Sequence, residues 1–164
     1  MRLAGLALVG GAVACSGGDG ADDAAADAVD GDGCAVGGAP TLTIGTGETA
    51  YAALGDTLEL VHGPQGGYHV LIGFEATHLD TSAFAIGLVE GTIGGEIVAR
   101  TAPYLDFRCN PETGTLQSWG TLLIYPLLPE ELDNQETHLT ATVTDAAGVE
   151  VSAERTTVID DPLL

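Results

Sequence analysis

Four histidine and carboxylate positions carry the densest potential chemistry of this chain. His62 and His69 bracket the glycine-rich stretch Gly63-Pro64-Gln65-Gly66-Gly67, and His78 and Asp80 follow soon after. If the segments on either side of that stretch pair as strands, the two imidazoles come to one end of a sheet. Imidazoles with a carboxylate are donors suited to zinc or copper. Cys109 would add a soft ligand, but no CxxC or CxxH spacing occurs. The competing reading is a pair of solvent-facing strand histidines joined by a loop whose glycines permit positive φ. Trp119 is the sole tryptophan. It is expected as a large aromatic anchor packed between sheets, with carbohydrate binding by Trp119, Tyr104 and Tyr125 as the other use of those rings.

Other reactive constellations fail on their own terms. Leu79-Asp80-Thr81-Ser82 is similar to the aspartic protease signature. That chemistry needs two carboxylates sharing a proton, hence a dimer of a chain this short. Asp80 is better read as capping a turn. Gly-x-Ser-x-Gly and His-Glu-x-x-His are absent, and a chain without lysine cannot hold a Walker-type phosphate loop. Asp30-Gly31-Asp32-Gly33 resembles the start of a calcium loop, but Cys34 and Thr41 stand where further oxygen ligands belong. No enzyme is expected, and no cofactor, with copper or zinc as the alternative.

The elements that must position these residues begin with an export signal. After Met1-Arg2 the chain runs apolar from Leu3 to Ala14, too short for a permanent span, which needs roughly 20 apolar residues. Gly11-Ala12-Val13-Ala14-Cys15 resembles the bacterial lipobox, with Ala12 where leucine is usual. The resemblance implies a signal peptide over 1–14, and diacylglyceryl addition and cleavage at Cys15, which becomes the membrane anchor. Ser16 after the cysteine points by analogy to the outer membrane. Residues 15–39, nearly all Gly, Ala and Asp, read as a flexible acidic tether unable to bury enough surface to fold. With Cys15 acylated, Cys34 and Cys109 remain, and in an oxidising compartment their pairing as a disulfide is expected.

Residues 40–164 read as one domain. Short runs rich in Val, Ile, Leu, Thr and Tyr are broken by Gly, Pro, Asp and Asn. Expected strands include Thr41–Thr46, Thr57–His62, Tyr68–Glu75, Ala83–Val89, Glu96–Thr101, Leu105–Cys109 and Leu116–Tyr125, with a helical turn within Glu130–Glu136. The alternation Leu139, Ala141, Val143 against His138, Thr140, Thr142, a turn at Asp145-Ala146-Ala147-Gly148, and renewed alternation at Val149, Val151 and Ala153 give a hairpin with one wet face. Strand spacing near ten residues suggests an antiparallel sandwich. The hairpin Leu139–Val149 resembles the last hairpin of bacterial immunoglobulin-like domains. Leu58–Val70 is similar to a segment of uncharacterised lipoproteins of myxobacteria and their relatives, which combine a lipobox, an acidic Gly-rich tether and a β-rich domain.

Composition narrows the partners. With 4 Lys+Arg against 24 Asp+Glu, the chain of 164 residues carries a formal net charge of -20. It repels phosphate backbones and anionic headgroups alike, so nucleic acid is excluded and charge cannot hold it to a membrane. The sequence thus points to a non-catalytic, lipid-anchored cell-envelope protein, periplasmic or surface-exposed. Its immunoglobulin-like domain would be structural or meet an envelope or extracellular protein. The alternative is a metal-binding module using His62 and His69.

Overall fold

The computed structural model of the protein describes residues 28–29, 34–36, 38–64 and 66–164. The expected signal peptide, Cys15 and most of the expected tether lie outside the described residues. In chain order the strands are β1 (Ala28–Val29), β2 (Ala35–Val36), β3 (Thr41–Thr46), β4 (Ala52–Ala53), β5 (Thr57–Glu59), β6 (Val61–His62), β7 (Tyr68–Thr77) and β8 (Ala85–Ile93). Then come β9 (Glu96–Thr101), β10 (Tyr104–Leu105), β11 (Arg108–Asn110), β12 (Thr115–Tyr125), the helical turn α1 (Pro129–Leu132), β13 (Glu136–Thr144) and β14 (Glu150–Asp160). β1 and β2 pair with each other.

The other strands build two sheets. One runs β11-β12-β7-β3-β4, with β6 also on β7; the other runs β10-β8-β13-β14-β5, with β9 also on β8. Every pairing is antiparallel except that of β5 with β14. The order β3, β7, β12, β11 against β9, β8, β13, β14 is the A-B-E-D and C′-C-F-G order of the immunoglobulin sandwich, and the chain is an all-β sandwich of that kind.

Period-two alternation sets the core. From the first sheet Val70, Ile72, Phe74 and Leu123 are fully buried, and from the second Val89, Leu139, Val143 and Ile159 meet them. Burying each such side chain contributes about 1.5–3 kcal/mol over leaving it exposed. On β13 the apolar face expected from Leu139, Ala141 and Val143 points inward, while His138, Thr140 and Thr142 face outward. The buried hydroxyl of Thr137, on the inner face of β13, is 3.2 Å from the phenol of Tyr125.

Two expected strands divide, and in both cases the chain changes sheets. Thr57–His62 breaks at Leu60: β5 joins β14, β6 joins β7, and the Leu60 N–H donates to the Asp160 carbonyl at 2.8 Å. Leu105–Cys109 breaks likewise, because β10 pairs with β8 and β11 with β12. These crossings link the edges of the two layers.

The expected turn Asp145–Gly148 is held by one carboxylate. Asp145 Oδ1 accepts the N–H groups of Ala147 and Val149 at 3.0 and 2.8 Å, and Oδ2 accepts that of Asp80 at 2.9 Å. Gly148 takes φ +82°, which suits glycine. The disulfide joins Cys34 to Cys109 with Cα atoms 5.7 Å apart. Cys34 is buried within the core cluster. Ordered packing therefore extends to the tether side of the boundary expected at residue 40. Among the described residues no helix is long and apolar enough to cross a membrane.

Candidate functional site

The strongest convergence of side chains lies where β12 departs from regular pairing. Ser118 opposes Phe74 and Thr121 opposes Ile72, so Trp119 and Gly120 together face the single residue Gly73. This is a β-bulge, and Gly120 takes φ +77° within it. Ser118 and Thr121 both point inward and are buried, while Trp119 is turned to a half-buried position at the sheet margin. The Gly120 N–H donates to the Gly47 carbonyl at 3.0 Å, which fixes the bulge to the loop after β3. The expectation that Trp119 anchors the core is thus corrected. Trp119 follows the inward-facing Ser118, so strand alternation turns its side chain away from the inner face, and Phe74 and Tyr125 occupy the centre instead.

Trp119 lines an open cleft of about 400 Å³ together with Thr101, Pro103, Tyr104, Asp106 and Arg108. Arg108 lies over the indole, its Cζ 5.6 Å from the ring centroid. Its Nε and Nη2 donate to Asp106 Oδ2 at 3.3 and 3.2 Å. The cleft's cation is therefore paired with the cleft's carboxylate. Tyr104, on β10 of the second sheet, also lines the cleft and is 78% exposed. Tyr125, the third aromatic considered with these two, is buried and bonded to Thr137; burial raises its phenol above the ordinary range, and the Thr137 bond offsets part of that.

The histidines are distributed otherwise. His62 pairs with Tyr68 across β6 and β7, and His69 pairs with Val61. Neighbouring positions on a strand point to opposite faces, so the two imidazoles share an end of the sandwich but not a face. His62 Nε2 is 2.8 Å from Asp161 Oδ2, and its ring meets Tyr68 edge-on at 5.1 Å. Burial pushes the Asp161 carboxyl upward, but the Leu163 N–H and His62 outweigh it and hold it below the usual range. His69 lies on the outer face between Val61 and Ile124.

His78 and Asp80 follow the other end of β7. The nine residues from His69 to His78 span about 30 Å at roughly 3.3 Å each. The four candidate ligands therefore do not meet at one point. Among the described residues no group of three or more His, Cys, Asp or Glu is placed to hold a metal ion. His78 takes φ +57° and packs against Gly38, where a Cβ would lie 2.6 Å from its ring. Its Nδ1 is buried without a hydrogen-bond partner. Asp80 Oδ1 accepts the Ser82 N–H at 2.9 Å, the turn cap expected of it, and that bond holds its carboxyl below the ordinary range. Cys109 is committed to Cys34.

The Arg108–Trp119 contact was missed in the sequence, because it depends on a bulge and on a strand that pairs across a turn. The one signal for it was Gly120, a glycine in the interior of an otherwise apolar strand. No protein-family model matches the chain, and no curated protein is significantly similar to it.

Proposed function

We propose that the protein is a non-catalytic lipoprotein of the cell envelope, anchored through an acylated Cys15, whose immunoglobulin-like sandwich serves as an interaction module. The observation that carries this reading is the Cys34–Cys109 disulfide. Such bridges form and persist in oxidising compartments, which agrees with an exported chain. The bridge also ties the segment that follows Cys15 to a fixed point on the domain. Cys34 lies 19 positions after Cys15. Fully extended, that stretch reaches about 65 Å, so the module works close to the membrane that holds it. The exposed Tyr104 and the half-buried Trp119 beside the β12 bulge supply the kind of surface that recognises partners.

The anchor is tested by Cys15→Ala in cells fed an alkyne fatty acid. The variant is expected in the soluble fraction, without label. Labelled, membrane-bound protein in the Cys15→Ala strain would overturn the assignment.

A further inference from the structure

We propose that the cleft beside the β12 bulge is a binding subsite for a neutral saccharide. This deepens the reading of the domain as an interaction module and rests on it.

The cleft has the amphiphilic character of a sugar. Two aromatic rings, Trp119 and Tyr104, stand on its walls from different sheets. The core is filled without either ring; Tyr104 is 78% exposed and Trp119 half-buried. Aromatic faces carry negative quadrupole density and attract the polarised C–H faces of a pyranose ring; Tyr104 offers such a face to solvent, while the Arg108 guanidinium covers one face of Trp119. Asp106 and Arg108 line the same cleft, an acceptor and a planar fork of donors within hydrogen-bond distance of each other. Adjacent sugar hydroxyls, each both donor and acceptor, match such a pair. Arg108 spends two of its five N–H groups on Asp106, and Asp106 Oδ1 takes no hydrogen bond among the described residues.

Charge decides which saccharides fit. Arg108 is the cleft's cation, and Asp106 neutralises it. The chain as a whole stands at -20. A phosphorylated or uronic ligand would meet repulsion without an unpaired cation to offset it. An apolar ligand would strip water from the Asp106–Arg108 pair and from Thr101 with no return. The volume of about 400 Å³ lies at the lower end of small-ligand sites, which suits one or two sugar rings.

Trp119 is the sole tryptophan, so its emission reports on this cleft alone. The purified full chain is titrated with neutral cello-, manno- and N-acetylchito-hexaoses, with polygalacturonate and a lysine-rich peptide in parallel. A saturable blue shift with at least one neutral hexaose, and none with polygalacturonate, is expected. By calorimetric titration, Trp119→Ala should weaken that binding roughly tenfold or more. Tyr104→Ala should weaken it too while leaving the melting temperature unchanged, since the ring is exposed. That second variant separates loss of binding from loss of folding. No saturable response to any neutral hexaose would overturn the proposal, as would binding retained in both variants. A response to the lysine-rich peptide alone would overturn it in favour of a basic protein partner, leaving the interaction-module reading intact.

Discussion

Removing the Cys34–Cys109 bridge tests how much of the fold's stability resides in the unfolded chain. The bridge spans 75 residues. On the chain-entropy account a loop of that length removes about 15 cal/mol/K from the unfolded ensemble, or about 4.5 kcal/mol at 25 °C. The 125 residues from 40 to 164 unfold with an entropy of about 0.26 kcal/mol/K near the midpoint. The quotient predicts that Cys34→Ala/Cys109→Ala melts about 17 °C lower than the oxidised protein. Cys34 is buried, so the alanine also loses packing there, which adds to the deficit. Scanning calorimetry of the oxidised and double-variant proteins measures the shift. Amide exchange supplies the mechanism. If the bridge acts through the unfolded chain, protection falls by a similar factor in β7, β12 and β13. A shift under about 5 °C, with exchange accelerated only in residues 34–46 and 108–117, would refute the chain-entropy reasoning. It would show the bridge to be a local clasp on the sandwich edge.

Three further outcomes follow from single contacts. A Cβ at Gly91 would lie 2.5 Å from the Tyr125 hydroxyl and 3.3 Å from Leu123 Cδ2; Gly91→Ala should therefore displace the phenol from Thr137 and cost about 2–4 kcal/mol, and an unchanged urea midpoint would contradict this. Asp145→Ala removes the acceptor of three backbone N–H groups at the last hairpin and should cost about 3 kcal/mol, with Asp145→Asn intermediate, by the same assay. Asp161 is held below its ordinary range in the fold, so its contribution is fully present above the unfolded value of about 3.9 and disappears as pH falls through the folded one. Asp161→Asn should lower the melting temperature at neutral pH and flatten its decline below about pH 4; parallel profiles for variant and parent would remove Asp161 from the acid transition.

What was legible in the sequence was whatever a local period could carry. The β13–β14 hairpin was readable because its apolar residues alternate without interruption and its turn has Asp and Gly where the geometry needs them. Strand boundaries failed where tertiary contacts override composition. Gly91 reads as the start of a connection, yet β8 runs on to Ile93, because a residue without a side chain is needed beneath Tyr125. The breaks at Leu60 and between Leu105 and Arg108 were invisible, since each half of a split strand is paired by a different sheet. The disulfide followed from counting cysteines. The histidines misled: spacing placed His62 and His69 at one end, but the strict alternation of a strand puts adjacent register positions on opposite faces.

The Cys34–Cys109 bridge also determines how the molecule would carry a load. A pull on the chain ahead of Cys34 passes through the sulfur atoms to β11, and β3 is spared. The strand that would otherwise peel first from β7 is bypassed. The 75 residues between the cysteines cannot be drawn out, which withholds about 260 Å of extension at roughly 3.5 Å per residue. Tension directed towards the C-terminus falls instead on β12, β13 and β14, of which β13 lies at the centre of the second sheet. A protein held at one end and gripped at the other would thus stay short under tension, behaving as a link of nearly fixed length.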